Sequence, residues 1–133
     1  MRKATMKGLP RPTEAELGIL RILWDKGPST VREVHEVMNA EEPTGYTTAL
    51  KLLQVMHAKG LVERDDSQRA HIYQPSMSKD YTQHQFVTDL VTRVFDGSPS
   101  ELVLHALGNT KGTSKGELAK IRQLIEELEK ESR

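Results

Sequence analysis

The order of the amphipathic segments between residues 13 and 75 constrains the fold of this chain more than any other feature. Thr13–Glu16 and Thr30–Glu33 have the capping-box spacing that begins a helix, and apolar residues at helical spacing follow each of them. A third helical pattern runs from about Tyr46 to Lys59. Two strand patterns separated by a polar stretch come next. This order is typical of a winged helix-turn-helix, whose third helix can enter the major groove of DNA.

The second half of the chain predicts three further helices, which begin near Ser78, Ser98 and Ser114. Their apolar residues are more than three short helices can bury among themselves, so we expect a partner subunit to cover them. On the last helix they follow the a/d pattern of a helix seam. The predicted dimerisation residues are Leu90, Val94, Leu102, Val103, Leu118, Ile121, Ile125 and Leu128.

The same seam could instead close a bundle within one chain. We favour the dimer, because two DNA half-sites one helical turn apart need two linked DNA-binding domains.

The predicted fold class is mainly α with a small β-hairpin. The chain is expected to comprise a basic flexible arm (residues 1–12), a winged-helix DNA-binding domain (13–75) and a helical dimerisation domain (76–133).

Charge is balanced over the 133 residues, with 19 basic and 19 acidic side chains, so no whole-molecule field would attract nucleic acid. The balance is uneven along the chain. The arm has four basic residues and no acidic one, whereas residues 13–75 have seven basic and ten acidic residues. We therefore expect weak non-specific binding to DNA and a strong dependence on a few local contacts.

Several classes of protein are disfavoured by what the sequence lacks. It contains no cysteine, and its five histidines do not have the spacing of metal ligands, so we expect no metal or other cofactor. No glycine-rich phosphate loop or Gly-x-Ser-x-Gly motif points to an enzyme. No apolar stretch is long enough to cross a membrane and no signal peptide is present, so we expect a cytoplasmic protein without membrane insertion.

The polar face of the third helix carries the candidate contacts to DNA bases, which are Thr47, Thr48, Lys51 and Gln54. Threonine offers a hydroxyl and a methyl group, lysine can reach guanine or a phosphate, and glutamine can pair with adenine. An ordinary solvated helix face would show the same pattern.

Candidate contacts to the DNA backbone lie around this helix: Ser29, Thr30, Tyr46, Lys59 and Arg69. Ser29 and Thr30 stand at a helix start, where free amides attract a phosphate, although a capping role needs no DNA. Tyr46 could equally pack at the start of its helix. Arg69 lies at the predicted hairpin tip, where a wing commonly touches the sugar-phosphate backbone.

Several segments together resemble the penicillinase-repressor (BlaI/MecI) family. They are Gly45–Lys51, Lys59–Arg64, Arg69–Tyr73, Glu14–Glu16 with Ile22–Trp24, and Leu102–Leu104 before a glutamate-rich helix. The resemblance covers residues 13 to 131 and lies in the order and spacing of these segments. It implies a homodimeric transcriptional repressor that binds a palindromic double-stranded DNA operator.

Two departures from the family pattern bear on mechanism. Family repressors of antibiotic resistance are cleaved by a membrane metallopeptidase sensor at an Asn-Phe bond, and the matching pair here is His105-Ala106. An arginine often found late in the recognition helix corresponds to Val55, so the operator sequence does not transfer. The competing hypothesis is a winged-helix protein-interaction module within a larger assembly, which zero net charge supports.

Overall fold

Residues 11–108 and 111–132 are described by a computed structural model of the chain. The helices are α1 (Glu14–Lys26), α2 (Val31–Glu41), α3 (Tyr46–Lys59), α4 (Lys79–Val94), α5 (Pro99–Gly108) and α6 (Lys115–Glu131). The strands are β1 (Ser29–Thr30), β2 (Val62–Asp65) and β3 (Ile72–Pro75). The predicted class, mainly α with a winged helix, is confirmed. Most of the predicted basic arm, including Arg2, Lys3 and Lys7, lies outside the described residues, and Pro12 at its end is buried.

Capping boxes begin three of the helices. Thr13 accepts a hydrogen bond from the Glu16 amide, and the Glu16 carboxylate accepts one from the Thr13 amide. The same reciprocal pair joins Thr30 to Glu33 at α2. Another begins α6 at Ser114. These predictions are confirmed because a capping box uses only atoms within four consecutive residues.

The sheet has three antiparallel strands in the order β1-β3-β2, so the predicted hairpin gains a third strand. β1 pairs Ser29 with Tyr73, while the other edge of β3 pairs Tyr73 with Arg64. The sequence pattern starts the second strand of the hairpin at Ala70, whereas β3 begins at Ile72. Arg69 lies in the loop of residues 66–71 between β2 and β3, which we call the wing.

The core of this part of the chain lies where the first three helices meet the sheet. Its buried apolar side chains come from α1, α2, α3, β2 and β3 and from the residue before β2: Ile19, Leu20, Leu23, Val31, Val34, Ala49, Leu53, Met56, Leu61, Val62 and Tyr73. Burial of aliphatic side chains on this scale is the main stabilising contribution in a domain of this size. It fixes α3 through one of its faces and leaves the other to solvent.

The chain divides into two compact units inside α4, between Val87 and Thr88. The boundary between residues 75 and 76 stays a prediction. Within the first unit, the Trp24 indole N–H donates to the Met77 carbonyl at 3.0 Å, which ties α1 to the segment before α4.

The second unit contains the end of α4, α5 and α6. Asp96 and Gly97 both have positive φ (52° and 79°), and the Gly97 amide donates to the Val91 carbonyl at 2.8 Å, which ends α4 in a tight turn. Neither α5 nor α6 has a buried residue. Among the residues that the structure describes, no helix is long and apolar enough to cross a membrane.

Candidate nucleic-acid interface

Helix α3 has one face in the core and the opposite face in solvent. Ala49, Leu53 and Met56 are fully buried. The four candidate base-contacting residues, Thr47, Thr48, Lys51 and Gln54, are all exposed. No acidic residue occurs between Tyr46 and Lys59. The exposed face is therefore neutral to basic and rich in hydrogen-bonding groups, which suits the edges of base pairs.

The turn between α2 and α3 sets the position at which α3 begins. His35 Nε2 lies 2.7 Å from the Thr44 carbonyl oxygen, and the Thr44 amide donates to the Asn39 side chain at 3.0 Å. The His35 and Tyr46 rings also pack in a T-shaped arrangement, with ring centroids 5.7 Å apart. Sequence reasoning assigned no role to His35 in this turn. The one local indication of this role was that His35 and Asn39 are four residues apart, which puts both side chains on the same face of α2.

The other end of α3 is tied to the start of α1 by an ion pair. Lys59 Nζ lies 2.8 Å and 3.0 Å from the two carboxylate oxygens of Glu16, which is only 2% exposed. Burial raises the pKa of Glu16, but the hydrogen bonds from Lys59 and from the Thr13 amide outweigh burial and hold that pKa below its ordinary value. Because its ammonium already has this partner, Lys59 is not among the residues that we propose to contact DNA.

The start of α2 differs from the predicted phosphate site. Ser29 is 1% exposed and its hydroxyl donates to the Gly27 carbonyl at 2.8 Å, so its side chain belongs to the interior and not to a DNA-facing surface. Thr30 caps the helix, and the Glu33 carboxylate accepts from the Thr30 amide at 2.8 Å. This hydrogen bond is the main reason that the pKa of Glu33 is lowered. An ionised carboxylate at the helix start competes with a phosphate for the same positive end.

Asp66 organises the wing. Arg64 Nε lies 2.7 Å from Asp66 Oδ1, and His71 Nδ1 lies 3.6 Å from the same oxygen. A hydrogen bond with Tyr73, followed by one with Asp66, raises the pKa of Arg64 above its ordinary value. The Asp65 carboxylate accepts from the Ser67 amide, which closes the turn at the start of the loop. Arg69, in contrast, is exposed.

An open groove of about 770 Å³ lies between the wing and α3. It is lined by Tyr46 and Gln54 from α3, by Arg69 from the wing and by Thr30 at the start of α2. The structure thus brings together one candidate base contact and three candidate backbone contacts. Thr47, Thr48 and Lys51 are exposed but do not line this groove.

The candidate dimerisation residues stay accessible in the single chain. Val94 is 60% exposed and Leu128 is 52% exposed. Leu90, Val103, Leu118 and Ile125 are also exposed, whereas Leu102 and Ile121 are half-buried. The pair that matches the family cleavage site, His105 and Ala106, lies within α5 with both side chains exposed.

Comparison with known proteins gives a family match over nearly the whole chain. Residues 12–127 match the penicillinase repressor family. A transcriptional regulator BlaI from Mycobacterium tuberculosis is 29% identical over 125 residues, covering 93% of this chain and 89% of that protein. A penicillinase repressor from Bacillus licheniformis is 25% identical over 126 residues, covering 92% and 94%. The crystal structure of AbfR of Staphylococcus epidermidis is similar with a TM-score of 0.43 and 15% identity, covering 90% of this chain and 75% of that chain. Since the family match extends from the start of the first capping box into α6, this chain belongs to the penicillinase repressor family.

Proposed function

We propose that the chain is a sequence-specific DNA-binding repressor of transcription that acts as a homodimer on a palindromic operator. Family membership places it among transcriptional regulators and not among enzymes. The observation that carries the proposal is the exposed face of α3, which has no acidic residue and is held in place by the buried Ala49, Leu53 and Met56. A rigid helix with such a face is the element that winged-helix proteins insert into the major groove.

The contacts to bases in this proposal come from the centre and the groove side of that face. Lys51 points away from the core and donates to guanine acceptors or to a phosphate. Thr47 and Thr48 contribute hydroxyl and methyl groups near the helix start. Gln54 lies one turn after Lys51, where its amide can both donate to and accept from adenine.

The contacts to the DNA backbone in this proposal come from Tyr46 and Arg69, which line one groove together with Thr30. Tyr46 is 48% exposed although its ring packs against His35, so its hydroxyl is accessible to a phosphate. Glu33 and Glu36 line the same groove and repel phosphates, which is consistent with the acidic balance of residues 13–75. Specific binding therefore depends on a few cations, and each phosphate contact adds about −0.9 to the salt slope of binding.

The homodimer is supported by the apolar side chains that α4, α5 and α6 leave exposed. α6 places Leu118, Ile125 and Leu128 on one seam, which a second copy can cover with its own seam. Two copies related by a two-fold axis present two α3 helices, and the operator then has the matching palindromic symmetry.

Release from DNA by proteolysis remains a prediction from the family resemblance, with a membrane metallopeptidase sensor as the partner. The matching bond, His105–Ala106, lies inside α5. A protease binds its substrate in an extended form, so α5 has to unwind locally before this bond is cut.

The decisive experiment is footprinting on the DNA upstream of the gene for this chain, combined with mobility shifts at low and moderate salt. We expect a protected region with two symmetric half-sites whose centres are separated by about 10 base pairs or a multiple of that. If purified protein shifts no fragment of this DNA even at low ionic strength, the proposal fails. The protein-interaction module would then be the better description.

A further inference from the structure

Val55 is an apolar residue on the solvent side of α3 that the fold itself does not require. Its side chain is 37% exposed, and it is not among the residues that form the core or pack against it. A β-branched residue also lowers helix stability slightly relative to alanine. Neither packing nor helix propensity therefore explains an exposed valine in the middle of this helix.

The position of Val55 relative to its neighbours points toward the DNA. It follows Lys51 by four residues and Thr48 by seven, so the three side chains lie on one face of α3. Ala58, three residues later, is also exposed and short. Between Lys51 and Lys59, whose ammonium is paired with Glu16, the exposed side chains that follow on this face are therefore small and apolar, which lets the helix approach the floor of the major groove closely.

We propose that Val55 is a specificity-determining residue that recognises thymine through its C5-methyl group, a proposal that rests on the DNA-binding function above. The thymine methyl is the one apolar group that base pairs present in the major groove, and apolar side chains are its usual partners. Valine has no donor or acceptor, so it gains nothing from the polar edges of guanine, adenine or cytosine. It favours a thymine at one defined position in each half-site.

The expected size of the effect follows from the burial of one methyl group, which changes an equilibrium constant about fourfold. A single thymine is therefore preferred over a base without the methyl by about this factor. This is smaller than the discrimination expected from a bidentate hydrogen-bonded pair.

The test uses the footprinted operator with each thymine of one half-site replaced in turn by deoxyuridine, which lacks only the methyl. Dissociation constants of the full-length protein are measured by fluorescence anisotropy. For the wild type, we expect a loss of about fourfold at the thymine that Val55 contacts. Val55→Ala should bind the unmodified operator more weakly but show no further loss at that thymine, because the two changes remove the same contact. Val55→Thr keeps one methyl group, so its affinity should still fall at that deoxyuridine position, but by less than the affinity of the wild type.

Thr48→Ser is the matched control, since it removes a methyl from the same helix face and should change sensitivity at a different thymine. Thermal unfolding of the Val55 variants checks that their fold is intact. The proposal is overturned if Val55→Ala binds the operator with the same deoxyuridine profile as the wild type. If the wild type itself binds no operator, the proposed function fails along with it.

Discussion

At the scale of single residues, the buried side chain of Glu16 makes two kinds of interaction. Its carboxylate caps α1 by accepting from the Thr13 amide, and it accepts two hydrogen bonds from Lys59. A buried carboxylate is costly unless its partners are present, so the net value of this arrangement shows only when one partner is removed. The same ion pair joins the start of α1 to the end of α3.

Replacing Glu16 by alanine should lower the free energy of unfolding by about 2 to 3 kcal/mol, because the cap is lost and the Lys59 ammonium loses its partner. Lys59 is 28% exposed, so partial solvation keeps the cost below that of a fully buried pair. Urea unfolding followed by circular dichroism measures the change. Glu14→Ala, an exposed change in the same helical turn, is the control and should cost less than about 0.5 kcal/mol. Equal effects of the two substitutions would contradict this account.

The lowered pKa of Glu16 also predicts a pH dependence of stability. Since the folded chain binds this proton less readily than the unfolded chain, the contribution is present above the ordinary pKa of 4.5. It is lost as the pH falls through the lower pKa of the folded state. Glu33 and Asp65 shift in the same direction, so the Glu16 contribution is isolated by comparing wild type with Glu16→Gln. Their difference in unfolding free energy should shrink below pH 4.5, and a constant difference would count against it.

Lys51 is the residue on which we expect specific recognition to depend most. If Lys51 contacts a base, Lys51→Ala should weaken operator binding by about 1 to 3 kcal/mol. If Lys51 contacts a phosphate, the loss of affinity should be smaller and the salt dependence of binding should also decrease. Anisotropy titrations at several salt concentrations separate the two cases. Lys120→Ala on α6 removes an equal charge away from α3 and is the control. An unchanged affinity for Lys51→Ala would remove Lys51 from the interface.

At the scale of elements, the turn that leads into α3 is held by contacts that the helices alone do not provide. His35 on α2 reaches the Thr44 carbonyl, and Asn39 holds the Thr44 amide. α3 has no side-chain cap of its own, because its N-cap residue is Gly45. The orientation of the first turn of α3 therefore depends on the preceding helix.

His35→Phe tests this dependence, because phenylalanine keeps a ring beside Tyr46 but cannot hydrogen-bond to Thr44. We expect a loss of about 1 kcal/mol in stability, the usual value of one hydrogen bond. Operator affinity should also fall at temperatures where the protein stays folded, because the start of α3 is less fixed. His84→Phe on α4, where the histidine is exposed, serves as the control. A stability loss without any change in affinity would limit His35 to a structural role.

At the scale of the whole molecule, the second unit lacks an interior of its own in α5 and α6. Exposed apolar side chains on this scale mark an interaction surface more often than an ordinary solvated one. Balanced net charge helps two copies to associate, since no long-range repulsion opposes the contact.

Ile125→Asp should therefore convert the proposed dimer to a monomer, because a carboxylate placed in an apolar seam loses its hydration without gaining a partner. Sedimentation velocity at micromolar concentration measures the mass, and operator affinity should fall in parallel. Gln123→Asp, on the same helix but outside the seam, should remain dimeric. A wild-type protein that sediments as a monomer would refute the dimer and leave the intramolecular bundle.

Local sequence determined where most of the helices begin and which faces they bury. Capping boxes at Thr13, Thr30 and Ser114 act within four residues, and apolar periodicity acts within one or two turns, so both can be read directly from the chain. The exposed polar face of α3 followed from the same periodicity. The family could be predicted for the same reason, since the resemblance rests on the succession of these local patterns.

Only the tertiary structure decided which side chains meet across the fold. The pairing of β1 with β3 joins Ser29 to Tyr73, and the ion pair joins Glu16 to Lys59 across 43 positions. Two residues in β1 carry too weak a pattern to predict a strand, and no spacing rule links partners so far apart. These contacts depend on hydrophobic burial, which packs the elements against one another, and on the need of buried polar groups for hydrogen-bond partners. For that reason the side chains of Ser29 and Lys59, which the sequence predicted to contact the DNA backbone, are hydrogen-bonded within the fold to Gly27 and Glu16.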